Sequence, residues 1–206
     1  MSDQRPCAVD EAVARALSIV GKGGMYWLGT GDYRPEPGGT DLPWTTNNGG
    51  TGSDCCGFAI TWCYKLTRHR PGFNRGAWST CEDDINCDSA LEDARGGWGG
   101  TQFMGGHQEL FELCETPEIG AMLLYPSIHL RQHVPPFYMC GHVAIIIDCS
   151  KWKPDAPSYS DLVVAQCHGP NGFKPGVVIT DGSIWQWHDS QWQLPQHRSA
   201  MIRAKP

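Results

Sequence analysis

Short runs of β-favouring residues dominate the carboxy-terminal half of this chain, and they constrain its fold more than any other feature. Pro, Gly, Asp or Ser turns separate the runs, which is typical of an antiparallel sheet. The predicted strands cover residues 119–125, 143–148, 162–166, 177–180 and 184–187. Because helical patterns precede these strands rather than alternating with them, we expect an α+β fold and not a series of βαβ units.

Two helices are predicted in the front half of the chain. Asp10 precedes a helically spaced apolar run that stops at Gly21, which predicts a capped packing helix with a glycine end. A second helix is expected to start at Cys55 and to pack on the sheet. The residues on its apolar face are Cys55, Ala59, Trp62, Cys63 and Leu66. Shorter helices are expected at 89–94 and 108–114.

Composition indicates one globular domain that spans residues 1–206. The chain has 40% hydrophobic and 18% charged residues, which is enough apolar material for a core. Two stretches rich in glycine, at 31–52 and 67–106, lack periodicity and are interpreted as long loop insertions. The chain is therefore expected to carry its site on one domain with large loops.

Charge and the amino terminus exclude several classes of partner. The net charge is −6 and Lys and Arg form no cluster, which argues against a nucleic-acid partner. The first twenty residues contain no apolar run after a basic start, so we expect neither a signal peptide nor a membrane partner. The chain is thus expected to be made in the cytoplasm.

Ten cysteines leave the redox state of the chain open. Their irregular spacing is not that of a small disulfide scaffold. If the protein acts outside the cytoplasm, Cys81 with Cys87, or Cys140 with Cys149, are candidate bridges.

Cys55 is the candidate nucleophile. Ser53 and Asp54 precede it in a polar turn and can accept hydrogen bonds from the first free amides of the predicted helix. The positive end of a helix favours the thiolate, which is the species that attacks a carbonyl. The same amides can stabilise the resulting oxyanion.

His142 and His168 are the candidate partners of Cys55. Alternation along their strands places His142 with Ala144, and Gln166 with His168, on one face each. Adjacent strands would bring the two histidines together. His142 would then take the thiol proton, and His168 would orient its ring through the second nitrogen.

Two motifs resemble the NlpC-like cell-wall cysteine peptidases, a papain-related family. Residues 54–59, Asp-Cys-Cys-Gly-Phe-Ala, resemble the family signature Asp-Cys-Ser-Gly-Phe-Val, and residues 141–145, Gly-His-Val-Ala-Ile, are similar to the strand that bears the base. The resemblance implies a papain-like fold, with Cys55 as nucleophile, His142 as base and His168 as the third catalytic residue. It also implies that Tyr26 lines the site and helps to bind the substrate carbonyl.

The chain also departs from the family pattern. Cys56 stands where the signature has serine, and the link between the two histidine strands is longer than usual. The third catalytic residue therefore has Gln166 and Asn171 as alternatives to His168. The related CHAP amidase/peptidases share the Gly-His-Val-Ala motif, so a cut between muramic acid and L-alanine is an alternative to a cut within the stem peptide.

Zinc binding is a further interpretation of the same region. The ligand types are present at Cys140, His142, Cys149, Cys167 and His168. No Cys-x-x-Cys or His-x-x-x-His spacing occurs among them, which argues against zinc. We therefore expect neither a metal nor another cofactor.

The expected function is hydrolysis of bacterial peptidoglycan by a phage endolysin or a secreted antibacterial effector. Such a protein would act on the periplasmic or extracellular wall after lysis or specialised secretion. It would work as a monomer, and an effector would have an immunity protein as a further partner. The alternative from another class is a non-catalytic wall-binding module with the same fold.

Overall fold

The computed structural model describes eleven stretches of the chain. They are residues 6–21, 25–26, 52–53, 55, 57–65, 111–125, 128–130, 137–139, 141–168, 176–191 and 198–205. The predicted insertions at 31–52 and 67–106, apart from Gly52, and the predicted helix at 89–94 lie outside these residues. So do Asp54, Cys56 and Asn171.

A six-stranded antiparallel sheet forms the centre of the fold. Its strands are β3 (Phe111–Leu113), β4 (Met122–Tyr125), β7 (His142–Asp148), β8 (Val163–Cys167), β9 (Val177–Asp181) and β10 (Ala200–Ala204). Their order across the sheet is β3-β10-β4-β7-β8-β9, and every neighbouring pair is antiparallel. The predicted α+β class with an antiparallel sheet is therefore confirmed.

Two small sheets accompany the large one. β1 (Met25–Tyr26) pairs in parallel with β2 (Gly52–Ser53). β5 (Ile128–Leu130) pairs antiparallel with β6 (Phe137–Met139). The first pair brings the chain segment before Cys55 beside Tyr26.

Helices cover both faces of the large sheet. Helix α1 (Val9–Ile19) and a π-helix (Gly57–Cys63) pack on one face, where the buried side chains of β7 are Val143 and Ile145. Helix α2 (Ser183–Gln191) packs on the other, where Trp185 contributes to a second apolar cluster with Ala144 and Ile146. Because both faces are covered, β7 is apolar along most of its length rather than alternating.

Helix α1 agrees with its prediction at one end only. Gly21 has a φ of +72°, the left-handed conformation that glycine tolerates at a helix end. At the other end the helix starts at Val9, and Ala8 occupies the cap position without a side-chain hydrogen bond. The predicted Asp10 cap is wrong, since Asp10 lies in the first turn, where its carboxylate favours the positive helix end.

The helix after Cys55 is present, with wider turns than an α-helix. Residues 57–63 form i→i+5 turns, and Trp62 and Cys63 are buried with Ala59 as predicted. Two hydrogen bonds join it to α1: Arg15 Nε donates to the Trp62 carbonyl at 2.6 Å, and Trp62 Nε1 donates to the Arg15 carbonyl at 3.0 Å. The predicted position of Leu66 lies outside the described residues.

Two predicted elements are wrong. Residues 184–187 belong to helix α2, because the Asp181 carboxylate accepts a hydrogen bond from the Ser183 N–H and starts a helix there. Residues 111–113, predicted as part of a helix, form β3, because they pair with β10. The sequence patterns do not predict β10 itself.

Of the four cysteines in the predicted disulfides, only Cys149 lies within the described residues. Cys149 is a free thiol rather than half of a bridge to Cys140. Cys81, Cys87 and Cys140 lie outside the described residues.

Candidate active site

Cys55 lies at the start of the helical segment, between β2 and the π-helix. It has helical backbone and is 0% exposed, packed in the apolar cluster that contains Phe58 and Ala59. In the β1–β2 pair, Tyr26 lies opposite Ser53, two residues before Cys55. The structure thus brings the Tyr26 backbone beside the segment that leads to Cys55.

Several other cysteines are poor nucleophiles because burial disfavours their charged form. Burial raises the pKa of Cys63 well above its usual value, and raises the pKa of Cys114 to about 11. The pKa values of Cys7 and Cys149 are raised as well, again mainly by burial. These four thiols stay protonated near neutral pH. Cys55 is fully buried as well, so burial alone does not distinguish it from them.

His142 is the first residue of β7 and is 4% exposed. Its Nε2 lies 2.6 Å from Gln166 Oε1, which is a short and buried hydrogen bond. An amide oxygen only accepts, so the hydrogen belongs to Nε2 of the histidine. The neutral ring then has its lone pair on Nδ1, which is the nitrogen that a general base requires.

His168 lies beside His142, as alternation predicts for two adjacent strands. The β7–β8 register pairs Ile145 with Ala165, and its continuation places His142 opposite His168. The two ring centroids are 5.5 Å apart and the rings are nearly perpendicular. Because the backbone N–H of His168 also donates to the Gly176 carbonyl at 3.1 Å, the main chain fixes His168 at the end of β8.

Burial and nearby charged groups shift the pKa of His168. Partial burial lowers this pKa below its usual value, and the charge of His142 lowers it further. A negative charge on Cys55 would act in the opposite direction and raise the pKa. His168 is therefore neutral at neutral pH.

Gln166 is 3% exposed and makes two short hydrogen bonds. Its Oε1 accepts from His142, and its Nε2 donates to Thr180 Oγ1 at 2.6 Å. The Thr180 hydroxyl in turn donates to the Asp181 carbonyl at 2.9 Å. Gln166 and His168 are the described residues among the three named from sequence for the third position, and Gln166 is hydrogen-bonded to His142 Nε2.

Aromatic side chains pack against the His142 ring. Its centroid lies 5.4 Å from that of Trp185 and 5.9 Å from that of Tyr125. Tyr125 stacks on His188, at 4.2 Å and 13° between the planes. The sequence analysis did not identify these residues. Trp185 and His188 are three residues apart, a helical spacing that could have indicated α2, and both are buried in the structure.

The sheet separates the first neighbours of Cys55 from those of His142. Val143 and Ile145 face the cluster that contains Cys55, whereas the His142 ring contacts Trp185 on the α2 face. β7 begins at His142, next to the point where β8 ends. His142 and His168 therefore lie together at one end of these two strands.

Neither a metal-binding cluster nor a membrane-spanning helix occurs in the described part of the chain. There, no group of three or more His, Cys, Asp or Glu side chains is placed to bind a metal ion. The helices within the same residues are all too short or too polar to span a bilayer.

No protein-family model matches the chain, and neither a curated protein nor a solved structure is significantly similar to it. A functional assignment therefore depends on the residues and on their geometry.

Proposed function

We propose that the protein is a papain-like cysteine hydrolase that cuts amide bonds in the stem peptides of bacterial peptidoglycan. The observation that carries this assignment is the buried 2.6 Å hydrogen bond between His142 Nε2 and Gln166 Oε1, with the ring of a second histidine, His168, 5.5 Å from that of His142. A histidine whose one nitrogen is held by an amide, so that the other can accept a proton, is the arrangement that activates a cysteine.

The reaction has two steps. The Cys55 sulfur attacks the amide carbonyl while His142 Nδ1 takes the thiol proton. The C–N bond then breaks, the amine leaves with that proton, and a thioester remains on Cys55. In the second step His142 takes a proton from water, whose oxygen displaces the sulfur. The products are a carboxylic acid and the regenerated thiol.

The substrate class follows from the resemblance of residues 54–59 and 141–145 to the NlpC-like peptidases. An endolysin or a secreted antibacterial effector is the biological role that best suits such an activity. On that assignment peptidoglycan is the partner, and the protein reaches the wall by lysis or specialised secretion.

Access to Cys55 is a requirement of this mechanism. Its side chain is 0% exposed, so a substrate carbonyl reaches the sulfur only when neighbouring segments are displaced.

The test is release of soluble fragments from purified sacculi. We expect the wild-type protein to release them, Cys55→Ala to release none, and Cys149→Ala to match the wild type as a control for loss of a thiol. Equal rates for wild type and Cys55→Ala would overturn the hydrolase. Mass spectrometry of the fragments separates the two bonds: a new amino terminus within the stem peptide supports the peptidase, and intact stem peptides released from muramic acid support the amidase.

Two histidine variants test the assignment of the base. We expect His142→Ala to abolish release and His168→Ala to reduce it. If His168→Ala abolishes release while His142→Ala does not, the base is His168, and the hydrolase assignment stands with the roles of the two histidines exchanged.

A further inference from the structure

The Thr180 hydroxyl belongs to a hydrogen-bond network that starts at His142. It is on β9, whereas Gln166 is on β8 and His142 on β7. The network runs across three neighbouring strands through His142 Nε2, Gln166 and Thr180 Oγ1, and ends at the Asp181 carbonyl. Each of its three hydrogen bonds lies between 2.6 and 2.9 Å.

We propose that Thr180 is a positioning residue that sets the tautomer of His142 by fixing the orientation of the Gln166 amide. The consequence for catalysis rests on the proposed hydrolase function. The consequence for the tautomer does not, since it follows from the hydrogen bonds alone.

The direction of the network is decided at its Asp181 end. A backbone carbonyl can only accept, so the single hydroxyl hydrogen of Thr180 points to the Asp181 oxygen. Thr180 Oγ1 then has only lone pairs for Gln166, and the amide must present its NH₂ group there. The amide oxygen is consequently the atom that faces His142, and His142 must carry its hydrogen on Nε2.

The reversed direction of the network takes the Thr180 hydrogen away from the Asp181 carbonyl. If the Gln166 amide were turned over, its oxygen would face Thr180 and its NH₂ group would face His142 Nε2. The Thr180 hydrogen would then have to leave the Asp181 carbonyl, and His142 would have to move its hydrogen to Nδ1. In that direction Gln166 keeps both partners but the Asp181 carbonyl loses its hydroxyl donor, whereas the observed direction satisfies every group of the network.

The tautomer matters because only an unprotonated Nδ1 can take a proton from a thiol while Nε2 is engaged by Gln166. A histidine trapped in the other tautomer is an ineffective base. The sequence places Thr180 in a predicted strand without indicating this role, which arises from the pairing of β8 with β9.

The primary test is long-range ¹H–¹⁵N NMR of histidine-labelled protein, with His142 assigned by comparison with His142→Gln. In the wild type at a pH where the ring is neutral, we expect the Nε2–H tautomer alone. Thr180→Val has nearly the same shape but offers Gln166 no acceptor, so we expect a mixture of tautomers. Thr180→Ser restores the hydroxyl and should restore the single tautomer.

Two results would overturn the proposal: an Nδ1–H tautomer in the wild type, or a single Nε2–H tautomer that persists in Thr180→Val. Thermal unfolding of each variant identifies one that fails to fold, and in that event Thr180→Ala, which also lacks the hydroxyl and requires no added volume, decides by the same spectrum.

Kinetics on sacculi or on a soluble stem peptide give the second readout. We expect Thr180→Val to lower kcat by about tenfold to a hundredfold with KM little changed, and Thr180→Ser to recover most of the loss. If KM rises while kcat is unchanged, Thr180 does not act through the base. If neither the wild type nor any variant hydrolyses a peptide, the proposed function fails, and the NMR result still decides the tautomer.

Discussion

His142 Nε2 and Gln166 Oε1 lie 2.6 Å apart in the interior, on adjacent strands of the central sheet. Gln166 orients the histidine ring and is itself anchored, because its own Nε2 donates to Thr180 Oγ1. The buried amide therefore decides which nitrogen of the histidine is protonated and which can accept a proton.

The first prediction concerns this amide. Gln166→Leu keeps the volume but removes both the acceptor for His142 and the donor to Thr180. We expect a loss of about 1–3 kcal/mol in the free energy of unfolding, measured by urea denaturation, and loss of sacculus hydrolysis. Gln166→Glu keeps an acceptor for His142 and should retain more activity than Gln166→Leu. Equal stability of wild type and Gln166→Leu would show that the two hydrogen bonds contribute nothing net.

The second prediction is a pH dependence of stability that originates at His168. Its pKa in the folded protein is lowered from 6.5 by partial burial and by His142. The unfolded chain thus binds more protons than the folded one between the lowered pKa and 6.5. The stabilising contribution is fully present above pH 6.5 and is lost as the pH falls through that window.

Urea denaturation between about pH 5 and pH 8 measures this effect, with His168→Gln as the variant that removes the titrating group. We expect the wild type to lose more stability than His168→Gln on acidification. Parallel curves for the two proteins would contradict the lowered pKa.

The third prediction compares the stability cost of replacing glycine at two positions that require it for different physical reasons. A Cβ at Gly182 would lie 2.2 Å from the Tyr159 carbonyl oxygen, which also accepts the Leu162 N–H. Because backbone must move and a hydrogen bond is at risk, we expect Gly182→Ala to cost about 3 kcal/mol or more.

Gly21 is the matched case, since its Cβ would meet nothing within 4 Å and only its φ of +72° opposes a side chain. We expect Gly21→Ala to cost about 1 kcal/mol and Gly21→Asn less, because asparagine tolerates the left-handed region. Thermal or urea unfolding ranks the three variants. A cost for Gly21→Ala that exceeds that of Gly182→Ala would reverse the expected order.

The fourth prediction tests the contact between α1 and the π-helix. Arg15 donates to the Trp62 carbonyl, and its guanidinium lies 4.0 Å from the centroid of the Trp62 ring. Arg15→Met retains part of the packing but removes the donor and the charge, so we expect a loss of about 1–3 kcal/mol in unfolding free energy. Leu17→Gln, at an exposed position of the same helix, should change stability by less than about 0.5 kcal/mol. Equal effects of the two substitutions would show that Arg15 does not stabilise the contact between α1 and the π-helix.

Much of the sheet is predictable because its strands are locally distinct. The runs around Leu123, Ile145 and Val164 are β-favouring and bounded by turn residues, and all three residues lie in strands. A three-residue strand such as Phe111–Leu113 has no pattern of its own, because it exists through pairing with β10. The prediction of a strand in place of helix α2 is wrong because two Trp residues alternate there, although Trp185 and His188 are buried on one helical face.

The candidate site, too, is predictable from the sequence only in part. The residue types and the alternation of β7 and β8 are enough to place His142, Gln166 and His168 near one another, since cross-strand neighbours share a face. Spacing cannot choose among the three possible third residues, because the choice depends on which side chain reaches His142 Nε2 across the sheet.

By itself, then, the sequence determined the α+β class, the position of Cys55 at a helix start and the two strands that carry the histidines, since all of these follow from local periodicity and turn residues. Only the tertiary structure decided that Gln166 engages His142, that Thr180 orients Gln166 and that Trp185 packs against the ring. Those contacts join residues far apart in the chain, and their geometry is set by strand register and by the packing of α2, which no local pattern encodes.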